Sequence, residues 1–75
     1  MLALQLGRNI RAERSRNGWS QERLAEESRL HRTYVGVIER GEKRITVCNC
    51  KKIACALGLP LWELIRMSEE NGLSE

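Results

Sequence analysis

The chain has 75 residues, and its 13 Lys and Arg against 10 Asp and Glu give it a formal charge of +3. This is the length of one small domain, and it leaves little room for a substrate pocket. No apolar run approaches the ~20 residues needed to span a bilayer, so we expect no membrane-spanning segment.

The positive charge is concentrated in one half of the chain. Residues 1–45 hold ten Arg and Lys against six Glu, whereas residues 46–75 hold three against four. A basic surplus localised in this way suits a polyanionic partner, although a solvated basic face without a ligand is the simpler alternative. The first residues do not form a basic segment followed by an apolar run and a cleavage site, so we expect a cytoplasmic protein.

The side chains that carry most enzyme chemistry are sparse. There is no Asp, a single His and no Gly-rich phosphate-binding loop, so we expect no enzyme and no cofactor. Three cysteines are an odd number for a disulfide framework, and we expect reduced thiols. On one helix, Cys48 and Cys50 point about 200° apart, and Cys48 and Cys55 lie about 10 Å apart along the axis, which argues against one shared metal ion. A redox switch at Cys48 or Cys55 stays open as an alternative.

Apolar spacing and capping residues predict an all-α chain of five short helices around one core. A first helix is expected over residues 2–16, and Asn17-Gly18 terminates it. Ser20 is a good amino-terminal cap for a second helix over residues 21–28. The buried face of this helix would be Leu24 and Ala25.

A third helix is expected over residues 32–40. Val35 and Ile38 are three residues apart and would face the core. Gly41 is a natural residue to follow the helix end.

Two further helices complete the predicted domain. Thr46 suits the cap of a helix over residues 47–57, and Pro60 suits the first turn of a helix over residues 60–67. We therefore expect a helix-turn-helix domain over residues 1–67 and a flexible tail over residues 68–75. The expected buried positions of the fourth helix are Val47, Cys50, Ile53, Ala54 and Leu57.

The second and third helices have the pattern of a crossed helix pair. Counted from Gln21, the small residue Ala25 is fifth, and apolar residues follow at fixed offsets. An α-helix that is braced across a second helix and carries long polar side chains in its first turn has the shape to enter a DNA major groove. The third helix is therefore the candidate DNA-contacting element.

With its flanking residues, this pattern resembles the phage-repressor and Cro-type (XRE-like) helix-turn-helix family, a lambda-repressor-like fold. The resemblance covers about residues 5–67. It rests on Ile10-Arg11 with Arg14, Gly18-Trp19-Ser20-Gln21 with Leu24-Ala25, Glu39-Arg40-Gly41, and Ile53-Ala54-Cys55-Ala56-Leu57-Gly58.

Within that family, the third helix is similar to that of the small controller proteins of restriction-modification systems. The resemblance is carried by Arg32-Thr33-Tyr34-Val35 followed by Ile38-Glu39-Arg40. One position departs from the family pattern, because Arg29 stands where the turn usually has a glycine with positive φ. Either the turn is mildly strained at Arg29 or it follows a different path.

The resemblance implies base contacts from the third helix. Arg32 can hold guanine O6 and N7 with two hydrogen bonds, and a phosphate contact or plain exposure is its alternative. Thr33 is expected to touch a base or a thymine methyl group. Val37 can offer only apolar contact, to a thymine methyl group or to nothing. Gly36 would let the helix backbone approach the DNA.

Phosphate contacts are expected around the same helix. Gln21 matches the family residue that binds a backbone phosphate at the positive end of a helix dipole, and its alternative is an ordinary first-turn residue. The other candidates share a polar or basic side chain near the third helix. They are Tyr34, Arg40, Lys43 and Arg44.

The resemblance also implies a buried ion pair between Arg14 and Glu39 that joins the first and third helices. We expect a homodimer that places two third helices in successive major grooves of a pseudo-palindromic operator. The candidate dimer contacts lie on the fifth helix and its approach. They are Leu59, Trp62, Ile65, Arg66 and Met67.

The sequence thus predicts a DNA-binding transcriptional regulator with double-stranded DNA and a second copy as partners. The alternative is an antitoxin-like or adaptor module that uses the same fold to bind a protein, in which case Arg32 would be dispensable. A contact with RNA polymerase, the operator and the direction of regulation are left open.

Overall fold

The computed structural model describes the backbone of residues 2–73 and the side chains of residues 4–67. The predicted all-α, five-helix fold is confirmed, and no strand occurs within these residues. The helices are α1 (Leu2–Arg16), α2 (Gln21–Ser28), α3 (Arg32–Glu39), α4 (Val47–Ala56) and α5 (Leu61–Leu73). None of them combines the length and apolar character that crossing a bilayer requires.

All five helices contribute to one core. α1 packs against α3 and α5, α2 packs against α3 and α4, and α4 also contacts α5. Apolar residues at helical spacing give each helix one buried stripe, and these stripes meet in the centre. The largest fully buried side chains are Ile10, Leu24, Val35, Ile38, Ile53 and Leu64.

The two predicted amino-terminal caps are present. The hydroxyl oxygen of Ser20 accepts a hydrogen bond of 3.1 Å from the backbone N–H of Arg23, and that of Thr46 accepts one of 3.2 Å from the N–H of Asn49. Each bond satisfies a backbone donor that has no partner within its own helix.

Glycines set the close approach of α1 to the end of α3. A Cβ atom added at Gly7 would lie 2.4 Å from the carbonyl oxygen of Ile38 and 2.7 Å from that of Glu39. Gly41 has φ +70°, and a Cβ there would lie 2.9 Å from the Cα of Leu4. Only glycine fits either position, so α1 and the end of α3 are held in direct backbone contact.

One predicted core residue is exposed. Val47 is 71% exposed, so the prediction that it is buried is wrong. Periodicity places Val47 and Cys50 only about 60° apart around the helix axis. It does not say how far the neighbouring helices extend along that axis, and at the first residue of α4 they leave the side chain in solvent.

The helix ends differ slightly from the predicted ones. α3 and α4 each end one residue early, because Arg40 and Leu57 are their carboxyl-terminal caps. α5 begins directly after Pro60, whose carbonyl accepts a hydrogen bond from the N–H of Leu64, and it continues beyond Met67. Residues 74 and 75 of the predicted tail lie outside the described residues.

Candidate nucleic-acid interface

The amino end of α3 is exposed and capped by a histidine. His31 Nδ1 accepts a hydrogen bond of 3.1 Å from the backbone N–H of Thr33. Arg32 and Thr33, the first two residues of α3, are both exposed. Two of the three residues predicted to contact bases are therefore exposed to solvent in the first turn of α3.

The turn from α2 to α3 passes through a left-handed residue. Arg29 has φ 59° and ψ 38° and is the one non-glycine residue with positive φ in the described part of the chain. The backbone N–H of Leu30 then donates to the carbonyl of Ala25 at 2.9 Å. Of the two alternatives for this turn, the strained turn is the one observed, at a cost of about 1–2 kcal/mol.

An acidic side chain from α2 binds the first side chain of α3. Arg32 Nη1 donates to Glu22 Oε1 at 2.7 Å, and the two side chains are 65% and 64% exposed. A guanidinium has five N–H groups, so this bond leaves enough donors for a guanine. Glu22 is not among the site residues predicted from the sequence. The signal that could have indicated it is an acidic residue in the first turn of α2 and a basic residue in the first turn of α3.

Two predicted phosphate-binding residues lie against the middle of α3. A Cβ atom at Gly36 would lie 3.3 Å from Arg40 Nη1 and 3.6 Å from Gln21 Oε1. Gly36 is buried under these side chains in the free protein, and the close backbone approach to DNA predicted for it stays a prediction. Val37 is half-buried and offers part of its side chain to solvent.

A buried ion pair holds α1 to the end of α3. Arg14 Nε and Nη2 donate to the two carboxylate oxygens of Glu39 at 2.7 and 3.1 Å, as the sequence predicts. Arg14 Nη1 also donates to the carbonyl of Trp19 at 2.8 Å, and Gln21 Nε2 donates to Glu39 Oε1 at 3.1 Å. The glutamine predicted to bind phosphate is thus oriented by the ion pair.

The remaining phosphate candidates differ in burial and in hydrogen bonding. Tyr34 is half-buried, and its hydroxyl accepts a hydrogen bond of 3.1 Å from Asn49 Nδ2. Arg40 Nε donates to Glu42 at 2.9 Å on the surface. In the loop after α3, Lys43 and Arg44 are exposed.

The candidate dimer residues divide into exposed and packed ones. Trp62 is 65% exposed, and the Arg66 guanidinium lies 6.0 Å from the centre of its ring. Leu59 and Ile65 are half-buried and pack against the core, and Met67 is half-buried. Trp62 therefore presents the largest exposed apolar surface of this set.

The three cysteines are free thiols. Cys50 is buried, and this burial raises the pKa of its thiol, whereas Cys48 and Cys55 are exposed. Across the described part of the chain, no group of three or more His, Cys, Asp or Glu side chains is arranged to hold a metal ion.

The architecture matches a known family. Residues 10–64 fit the model of the helix-turn-helix family. The chain belongs to the helix-turn-helix family. This helix-turn-helix protein is 42% identical over 65 residues to the control protein C.BamHI of Bacillus amyloliquefaciens, covering 85% of this chain and 80% of that one. It is also 42% identical over 65 residues to a hypothetical transcription factor of Neisseria meningitidis, covering 87% of this chain but only 61% of the relative's length.

The fold also matches a solved complex. C.Esp1396I, a restriction-modification controller protein, is similar in its structure bound to a 25-base-pair operator site, with a TM-score of 0.86 and 29% identity. The match covers 97% of this chain and 96% of that one. The predicted resemblance to the helix-turn-helix family and to its controller proteins is thereby confirmed.

Proposed function

We propose that the protein is a sequence-specific DNA-binding transcriptional regulator of the restriction-modification controller class, located in the cytoplasm. It binds as a homodimer to a pseudo-palindromic operator. The observation that carries this proposal is the exposed amino end of α3, where Arg32 and Thr33 lead a helix braced across α2.

The chemistry of this helix end supports base contacts. A guanidinium pairs with guanine O6 and N7 through two parallel hydrogen bonds, and a threonine methyl can contact a thymine methyl. Arg32 and Thr33 carry these groups into solvent at the start of α3. The half-buried Val37, one turn further along, adds apolar contact to a base edge.

Phosphate contacts set where the helix lies on the duplex without selecting a sequence. Gln21 and Arg40 lie on the same side of α3, against Gly36, and the exposed Lys43 and Arg44 follow it. With Tyr34, they are our candidates for the phosphate contacts. Because such contacts release counterions, affinity is expected to fall steeply with salt.

Dimerisation supplies the second half of the interface. One helix of this size makes few base contacts, and two copies related by a twofold axis place two α3 helices about 34 Å apart in successive major grooves. The exposed indole of Trp62, with Leu59, Ile65, Arg66 and Met67 around it, is our candidate dimer surface. Trp62→Ala is expected to shift the protein towards monomer in sedimentation.

The proposal is tested by selection of bound sequences from random duplex DNA. We expect a pseudo-palindrome whose binding weakens about tenfold or more in Arg32→Ala, the loss typical of one bidentate guanine contact. Arg16→Ala is the matched control, since Arg16 is a similarly exposed arginine that is paired with Glu13 on α1. Its selected sequence is expected to be unchanged.

Two results would contradict the proposal. Recovery of no enriched sequence would favour the protein-interaction alternative. Equal loss of binding in Arg32→Ala and Arg16→Ala would show general charge attraction rather than base recognition.

A further inference from the structure

The ion pair between Glu22 and Arg32 puts an acidic residue on a surface proposed to bind a polyanion. It places a carboxylate 2.7 Å from the guanidinium that leads α3, on the surface proposed to face DNA. A lone carboxylate beside a phosphate backbone weakens DNA binding by charge repulsion. This position therefore needs an explanation beyond general attraction to DNA.

Stability does not explain the pair. Both side chains are nearly two-thirds exposed, and exposed ion pairs add little to folding. The other exposed pair on α2, between Arg23 and Glu27 at 3.0 Å, provides a direct comparison. It joins two residues one turn apart on one helix, whereas the Glu22 pair crosses from α2 to α3 and fixes a side chain that leads the candidate DNA-contacting helix.

We propose that Glu22 is a positioning and specificity-determining residue for Arg32. This inference rests on the proposed function and assigns a role to a residue that does not itself contact a base. The Glu22 carboxylate acts on Arg32 in two ways, through hydrogen-bond direction and through charge.

The first effect is orientation. An unpaired arginine side chain has many rotamers, and ordering it on binding costs entropy. The hydrogen bond from Nη1 to Glu22 restricts the guanidinium before DNA arrives and occupies one of its five N–H groups. The remaining groups are sufficient for the two hydrogen bonds to guanine O6 and N7.

The second effect is charge compensation. A free guanidinium is attracted to every phosphate, and such attraction raises affinity for all sequences alike. With Glu22 beside it, Arg32 gains less from a phosphate but keeps the directional hydrogen bonds that a guanine requires. The pair therefore lowers binding to unrelated DNA more than binding to the operator.

The test compares Glu22→Ala with Glu27→Ala. Each variant removes one negative charge and one ion pair from α2, and the two positions lie about 140° apart around the helix axis. We expect Glu22→Ala to bind unrelated duplex more tightly and to lose about tenfold of its discrimination at the base pair that Arg32 contacts. Glu27→Ala is expected to keep wild-type discrimination.

Two further variants separate positioning from a structural role. Glu22→Gln keeps an acceptor oxygen for Arg32, so we expect it to recover part of the discrimination that Glu22→Ala loses. In an Arg32→Ala background, Glu22→Ala is expected to leave base preference at that position unchanged. Thermal melting of Glu22→Ala is expected to match that of Glu27→Ala.

The outcomes distinguish this inference from the proposed function. A wild-type protein that selects no sequence overturns the proposed function itself. A wild-type protein that selects an operator while Glu22→Ala keeps full discrimination overturns only the role of Glu22. Equal loss of discrimination in both alanine variants also overturns it, because net charge alone would then account for the effect.

Discussion

The guanidinium of Arg14 on α1 and the carboxylate of Glu39 at the end of α3 are joined by two hydrogen bonds, of 2.7 and 3.1 Å. Their side chains are only 13% and 2% exposed. Arg14 Nη1 also donates to the Trp19 carbonyl, and Glu39 Oε1 also accepts from the Gln21 amide, so each charge has a further polar partner besides the other. The pair ties the first helix to the candidate DNA-contacting helix.

Glu39→Ala is expected to lower the free energy of unfolding by about 3–5 kcal/mol, because it leaves the Arg14 charge buried without its partner. Denaturation in urea measures the change. The control is Glu27→Ala at an exposed pair, where we expect a loss of no more than about 1 kcal/mol. Similar urea midpoints for the two variants would contradict this account.

Gly7→Ala is expected to destabilise the fold by about 1–3 kcal/mol, since the new methyl group would overlap two backbone carbonyl oxygens of α3. Gly36→Ala is the matched control. Its methyl group would meet only side-chain atoms, at 3.3 Å from Arg40 Nη1 and 3.6 Å from Gln21 Oε1, and the gain in helix propensity is about 1 kcal/mol. The melting temperatures of Gly7→Ala and Gly36→Ala should therefore shift in opposite directions. Equal destabilisation of the two variants would refute the close approach of α1 and α3.

Arg29→Gly is expected to stabilise the protein by about 0.5–1 kcal/mol. Relief of the left-handed conformation, about 1–2 kcal/mol, exceeds the added entropy of the unfolded glycine chain, about 0.5–1 kcal/mol. Gly18→Ala makes the reverse change at φ 71°, in a position with open space around the Cβ. It should cost about 1 kcal/mol in urea denaturation. Loss of stability in Arg29→Gly would mean that the arginine side chain contributes more than the strain costs.

Stability above about pH 9 is expected to depend on Cys50. Burial raises the pKa of this thiol above the ordinary value of 9.0, so the folded state holds the proton more tightly than the unfolded state does. This contribution is complete below the unfolded pKa and is lost as pH rises through the folded pKa. Urea denaturation from about pH 8 to about pH 10 should show a smaller decline in Cys50→Ala than in wild type. Parallel declines would exclude the effect.

Local signals in the sequence were sufficient to predict the helices and the caps at Ser20 and Thr46. Ser20 and Thr46 accept the expected hydrogen bonds, because caps depend on residues two or three positions away. Val47 could not be placed in the same way. Its exposure depends on where other helices end, which helical periodicity does not encode.

Some contacts of the candidate site could be predicted from the sequence, and others could not. The pairing of Arg14 with Glu39 could be predicted although the two residues are 25 positions apart, because both match family positions that form an ion pair. The bonds from Asn49 to Tyr34 and from Arg32 to Glu22 join residues from different helices. They follow from how those helices cross, so no spacing rule for a single helix could predict them.

The hydrogen bond from Gln21 to Glu39 separates two kinds of change available to this domain. Arg32 and Thr33 are exposed and take no part in the core. Under the proposed function, new side chains there are therefore expected to alter the preferred bases while the domain folds as before. The Gln21 amide donates to the buried Glu39 carboxylate. Under the proposed function, its replacement is therefore expected to disturb both folding and DNA docking. If the proposed function holds, base preference can change at the start of α3 without altering the fold, whereas the docking geometry is coupled to the fold through Gln21.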